Sequence, residues 1–290
     1  MINVHPLAPG SHGVLVHGIE QRYHVFGQGP ICLVHSGGPG VNWDYMRMPR
    51  LEEHLTLVYV EPIGTGGSGR LPDHPHGYTV DRYADQLHGL ADALSLDRVL
   101  VMGHSHGGFV AQRFAIDHPE RVTGLLLYAT SAFTGDDFMA DAARGVDRFV
   151  NHWAGTPEAV SVLRGWRSPR DSDEAYTASL RDLLPVYFAD FQGVDIEALR
   201  DSLHVGLVKG DDAPFDVRLE LPDLRVPALV IVGAHDFICG PRWSDTLVDL
   251  IPDARCAAFD NAGHFVHLEC PDAFADVVVA FVHQDVRAAA

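Results

Sequence analysis

Val99-Leu100-Val101-Met102-Gly103-His104-Ser105-His106-Gly107-Gly108-Phe109 decides the fold. It opens as an apolar run suited to a buried strand, turns through Gly-His-Ser-His-Gly, and leads directly into a helix-compatible segment, Phe109 to His118. Strand, sharp turn and helix around Gly-x-Ser-x-Gly form a nucleophile elbow. The serine of such a turn takes a strained backbone conformation, so its neighbours two residues away must be small; Gly103 and Gly107 meet that demand. The turn lifts the Ser105 hydroxyl above the sheet edge, at the positive end of the helix that follows.

Working outward, strand and helix signals alternate. Met1 to Gly10 reads as a loose start, and Gly13 to Ile19 with Gln21 to Phe26 as an antiparallel hairpin. Ile31 to His35 and Leu55 to Val60 are short apolar runs of doubly covered parallel strands. Val80 to Leu94 carries apolar residues at spacings of three and four, an amphipathic helix. Val122 to Ala129 is the sixth strand. The rhythm then breaks: Ser131 to about Leu221 holds helical segments only, at Phe138 to Trp153, Ala159 to Gly165, Asp173 to Phe188 and Ile196 to Leu203. Pro227 restarts the alternation with strand Ala228 to Val232, helix Arg242 to Leu250, strand Ala254 to Phe259 and helix Pro271 to Val282. The pattern predicts an α/β fold: a mostly parallel eight-stranded sheet with helices on both faces. Residues 1–130 and 222–290 would form the core, and 131–221 a helical cap over its active face.

A net charge of −18, with Lys209 the only lysine, excludes nucleic acid and anionic membrane as expected partners. No apolar stretch is long enough for a membrane span, and the start does not read as a secretory signal. The four cysteines lack metal-ligand spacing, so the expectation is a reduced, cytoplasmic protein without metal or cofactor.

In parallel sheets ligands gather at the carboxyl ends of the strands, and the polar residues of this chain cluster there. Ser105 follows the fifth strand, Asp236 the seventh and His264 the eighth. Serine is a weak nucleophile and needs a base; His264 would take its proton and return it to the leaving group, while Asp236 would hold the imidazole tautomer. Among 18 histidines, His267 is the competing base, and Asp260 the competing acid. His104 and His106 would shape the pocket wall. The backbone N–H of His106 and that of Gly38, in the flexible loop Ser36 to Gly40, are the expected oxyanion donors. The loop lacks the pattern of a dinucleotide or P-loop cradle. Trp43, Phe109 and Phe237, beside the catalytic loops, are expected to touch substrate, and Trp153, Trp166, Tyr176, Tyr187, Phe188 and Phe191 of the cap are further pocket candidates.

Three stretches, Ser36-Gly37-Gly38-Pro39-Gly40, Glu61-Pro62-Ile63-Gly64-Thr65-Gly66-Gly67-Ser68 and Gly103-His104-Ser105-His106-Gly107-Gly108, together with Asp236 and His264, resemble the α/β-hydrolases of the proline iminopeptidase branch. The likeness covers both ends of the core and not the cap. Ser36 stands where the family has His, and Glu61-Pro62-Ile63-Gly64 where it has Asp-x-Arg-Gly. The resemblance implies a cofactor-free hydrolase that forms an acyl-enzyme. It also implies cap acids that hold a substrate's free amino group, with Glu158, Glu174, Asp190, Asp195 and Glu197 available.

The leading expectation is therefore a serine hydrolase cleaving a small ester, amide or N-terminal aminoacyl bond, its substrate a small molecule or short peptide. The same scaffold also supports carbon–carbon cleavage, lactone opening, cyclisation or acyl transfer, and a receptor that keeps the triad is a third reading. Dehalogenase and epoxide hydrolase chemistry would call for Asp at position 105.

Overall fold

The computed structural model describes residues 5–210 and 213–286, so residues 1–4 of the expected loose start, residues 211–212 of the expected cap and residues 287–290 lie outside it. Strands β1 (Gly10–Val16) and β2 (Ile19–Gly27) form the hairpin, and β3 (Ile31–His35) is followed by the single turn α1 (Pro49–Glu52). Then come β4 (Thr56–Glu61), α2 (Val80–Ala93), β5 (Val99–His104), α3 (His106–Asp117) and β6 (Val122–Tyr128). Helices α4 (Asp136–His152), α5 (Pro157–Arg167), α6 (Asp173–Leu183) and α7 (Ile196–Ser202) occupy the insertion. The chain closes with β7 (Ala228–Gly233), α8 (Pro241–Leu250), β8 (Ala254–Phe259), α9 (Val266–Glu269) and α10 (Pro271–Phe281).

The eight strands form one sheet in the order β1-β2-β4-β3-β5-β6-β7-β8. β1 and β2 run antiparallel at one edge; from β4 to β8 the neighbours are parallel. Because side chains alternate along a strand, each central strand feeds two cores. Val34, Tyr59, Met102, Tyr128 and Ile231 point into one, with α1, α10 and the inserted helices. Leu33, Val58, Val101, Leu127 and Val230 point into the other, against α2, α3 and α8. Each fully buried aliphatic side chain contributes about 1.5–3 kcal/mol by leaving water.

Local chemistry sets the element ends. Thr79, Thr156, Ser172 and Asp195 each accept a backbone N–H at the start of α2, α5, α6 and α7, as N-cap side chains do. The helix expected over Asp173 to Phe188 stops at Leu183 and tightens into a 3-10 turn, Leu184–Tyr187. Pro185 has no N–H to donate and fixes its own φ, which ends the regular helix. No helix among the described residues is long and apolar enough to cross a membrane.

Candidate active site

Ser105 follows β5 at φ 53° and ψ −120°, a positive-φ conformation that a non-glycine residue enters at a cost of about 1–3 kcal/mol. α3 starts at once, at His106, three residues before the point expected from sequence. A side chain on Gly103 would collide with the Gly107 carbonyl, and one on Gly107 with the carbonyls of His35 and Ser36. The elbow is held from outside by Ser105 N–H donating to the Tyr128 carbonyl (2.9 Å) and the Thr130 hydroxyl donating to the Ser105 carbonyl (2.8 Å).

Asp236, after β7, and His264, after β8, meet with Nδ1 of the ring 2.7 Å from Oδ2 of the carboxylate, and both side chains are buried. Oδ1 of Asp236 accepts the amides of Ile238 and Cys239, each at 2.9 Å, so the carboxylate is fixed at both oxygens. Asp260 is exposed, and His267 is spent elsewhere, with Nδ1 on the Tyr128 hydroxyl and Nε2 on the Tyr45 carbonyl, both 2.8 Å. Burial holds the His267 pKa down at about 4.

Ser105 and His264 face one cavity of about 130 Å³. Among the described residues no hydrogen bond closes between Ser105 Oγ and His264 Nε2, a link that tightens in many hydrolases only when substrate binds. Gly37 and Gly38 line the same cavity. The Gly37 amide donates to the Tyr45 hydroxyl at 2.6 Å and is thereby occupied; Gly38, at φ 132°, is the other glycine of the loop facing the serine.

The remaining lining is apolar: Val41, Leu180, Leu184, Leu203, Ile238 and Phe265, with Tyr45, Tyr176 and Tyr187. Arg170 supplies its permanent charge, and among the described residues no carboxylate lines it. The Arg170 guanidinium donates to the Ser179 hydroxyl (3.1 Å) and sits 5.3 Å from the Tyr176 ring centre. None of Glu158, Glu174, Asp190, Asp195 and Glu197 reaches this lining. Glu158 and Glu197 border a separate groove, and Asp195 caps α7.

The three aromatic residues expected to touch substrate do not line the cavity. Trp43 lies flat on His24, ring centres 3.9 Å apart, because the turn Asp44–Met46 that follows sends Tyr45 inward in its place. Phe109, one turn along α3, stacks on Phe215 at 4.7 Å. Phe237 is held edge-on by Tyr187 at 4.9 Å and capped by α4 at Gly145, so its neighbour Ile238 reaches the cavity instead. Of the six aromatic residues expected in the insertion, Tyr176 and Tyr187 face the cavity, whereas Trp153 and Phe191 pack on one another at 5.0 Å. His104 forms part of the wall; the His106 ring instead borders a second cavity with Tyr78 and Arg113. Sequence reasoning missed Tyr45 and Arg170, which no local pattern marks.

Asp236, Cys239 and His264 bring ligand-type atoms within 4.8 Å of one another. Burial and the Asp236 carboxylate push the Cys239 thiol well up, against the thiolate that a metal needs, and Asp236 is already taken by three donors. The donor set does not fit a metal.

The family model described as alpha/beta hydrolase fold matches residues 29–271. A 2-hydroxy-6-oxo-2,4-heptadienoate hydrolase of Pseudomonas putida is 32% identical over 282 residues, 93% of this chain and 95% of the relative. A proline iminopeptidase of Lactobacillus crispatus is 22% identical over 289 residues, 92% of this chain and 96% of the relative. Among solved structures, a meta-cleavage product hydrolase of Pseudomonas fluorescens superposes with a TM-score of 0.68 at 21% identity, covering 94% of this chain and 97% of its own. With a mixed sheet in this order, an elbow after β5 and a match that runs from the start of β3 past β8, the chain belongs to the α/β-hydrolase fold family and is a hydrolase.

Proposed function

We propose that the chain is a serine hydrolase acting on a small carbonyl compound that carries a carboxylate, cleaving it at an ester or a carbon–carbon bond. The observation that carries this reading is the cavity shared by Ser105 and His264. It is apolar, free of carboxylates among the described residues and charged through Arg170. Residues 131–221 act in this reading as the lid of that cavity, and 1–130 with 222–290 as the core that holds the machinery.

Ser105 Oγ attacks the carbonyl carbon while His264 Nε2 takes the hydroxyl proton. Asp236 holds Nδ1–H and stabilises the imidazolium through the 2.7 Å contact. The amides of Gly38 and His106 receive the oxyanion, His106 with the dipole of α3 behind it. The His264 proton then passes to the departing alkoxide or carbanion, leaving an acyl-Ser105, and water attacks that ester with His264 again as base. No cofactor is required by any of these steps. The apolar lining and the guanidinium suit an apolar substrate chain that ends in an anion, held by charge-assisted hydrogen bonds. The Pseudomonas putida relative, named for a dienoate, supports this substrate class. An aminopeptidase would need acids toward a free ammonium, and the cavity offers a cation there instead.

The test is a panel of 2-hydroxy-6-oxo-2,4-heptadienoate, 4-nitrophenyl hydrogen succinate, 4-nitrophenyl acetate and alanine 4-nitroanilide. Turnover of the dienoate or the succinate ester is expected, and none of the anilide. Arg170→Gln should raise KM for the anionic substrates by about tenfold, the loss of one charge-assisted hydrogen bond, and leave the acetate within about twofold. A preference for the anilide, abolished by blocking its amine, would replace this reading with an aminopeptidase.

A further inference from the structure

Two buried side chains that the mechanism does not use join three of the four loops that carry it. Tyr45 sits on the turn Asp44–Met46, with its ring at the cavity wall. Its hydroxyl oxygen lies 2.6 Å from the Gly37 amide nitrogen and 2.8 Å from His104 Nδ1. The Gly37 N–H can only donate, so the oxygen accepts there; His104 Nε2 faces a carbonyl, which can only accept, so the neutral ring carries its hydrogen on Nε2 and its Nδ1 takes the tyrosine hydrogen. His104 is then the Nε2–H tautomer, and Nε2 lies 3.1 Å from the His264 carbonyl oxygen, to which it donates. One chain of hydrogen bonds thus starts at the glycine loop, passes the residue before the nucleophile, and ends on the peptide unit of the base. The peptide unit before that residue is tied as well, the His264 N–H donating to the Tyr187 carbonyl at 2.7 Å.

The chain works only while His104 is neutral, because an imidazolium has no acceptor for the tyrosine hydrogen. Burial, with His264 and His267 nearby, holds the His104 pKa well below its ordinary value. Burying a hydroxyl and an imidazole is unfavourable unless both are fully bonded, and an apolar pair would fill the same space without that demand.

We propose that Tyr45 and His104 are positioning residues that set the Gly38 amide, Ser105 and His264 relative to one another. The proposal rests on the catalytic reading of Ser105 and His264. Gly38 is placed by its neighbour Gly37, Ser105 by His104 on its N-terminal side, and His264 by its own carbonyl. Displacement of a reacting group by about 1 Å costs up to about 100-fold in rate.

The experiment compares Tyr45→Phe, His104→Leu, His104→Gln and the double variant Tyr45→Phe/His104→Leu in the full chain. The readouts are kcat and KM on the panel substrate turned over fastest, the rate at which a fluorophosphonate labels Ser105, and the thermal midpoint. Tyr45→Phe removes one atom and is expected to lower kcat and the labelling rate about 10- to 100-fold with KM within about twofold. His104→Leu should match it, and the double variant should be no slower than either, as for groups acting as one unit. His104→Gln should recover to within about fivefold of wild type, because its amide accepts from Tyr45 and donates to the His264 carbonyl. A folded Tyr45→Phe variant with unchanged kcat, or losses that multiply in the double variant, overturns the proposal. Should His104→Leu fail to fold, Tyr45→Phe and His104→Gln decide the matter alone. Ser105→Ala separates the two layers: turnover that survives it sinks the catalytic reading, whereas turnover lost there but unmoved in Tyr45→Phe sinks only the positioning role.

Discussion

At the scale of single residues, the proposed acid is defined by how its oxygens are occupied. Asp236 Oδ1 accepts two amides and Oδ2 accepts the imidazole, all without exposure to solvent. In Asp236→Asn one oxygen becomes an N–H₂ group, so either the amide pair or His264 Nδ1–H faces a donor. The imidazole is then pushed toward the wrong tautomer, and kcat should fall about 10³- to 10⁴-fold. Asp260→Asn, exposed and away from the ring, should stay within about twofold. Steady-state kinetics on one ester separate the two, and a drop below about tenfold for Asp236→Asn would move the acid elsewhere.

At the scale of elements, the loop carrying His264 is fastened to the inserted segment by Glu269, the last residue of α9. One of its oxygens accepts the Gly263 amide at 2.6 Å, and the other accepts Ala189 at 2.8 Å and Asp190 at 3.2 Å. Glu269→Ala strands these three donors, each worth about 1 kcal/mol or more when partly buried, so the urea midpoint should fall by the equivalent of about 2–3 kcal/mol. Because the same carboxylate seats the loop of His264, the proposed base, kcat should fall with it; an unchanged midpoint would show that water replaces the clamp. Such joints also mark the limit of sequence reading. Strands, elbow and the Ser-Asp-His order are written locally, as apolar runs that end in turns, and the structure brings those three residues to one end of the sheet. Which way Phe237 or Trp43 turns is decided by partners far along the chain, Tyr187 and Gly145 for one, His24 for the other. Tyr45 and Arg170 were invisible for the same reason: a tyrosine after a glycine loop and an arginine between helices have no signature until the fold brings the cavity to them.

At the scale of the whole molecule, buried imidazoles make stability fall on acidification. His35 and His267 are held at about 4 by burial, against an ordinary value of 6.5, and His104 lies well below it for the same reason. These folded-state values are depressed, so the neutral rings favour folding fully above pH 6.5. Between 6.5 and about 4 the unfolded chain takes up protons that the folded chain refuses, and stability is lost as the pH drops. At pH 5 His35 and His267 should each have removed on the order of 2 kcal/mol, a large part of what holds a domain folded, and His104 acts in the same direction. Urea midpoints should therefore slide steeply between pH 7 and pH 5. Among the described residues the His35 ring bonds only the neighbouring Ser36 carbonyl, so His35→Asn can keep that bond without a titrating ring. It should lower stability at pH 7 yet flatten the slope by about one proton, or about 1.4 kcal/mol per pH unit. A variant whose slope equals that of the wild type would place the acid sensitivity in the carboxylates instead.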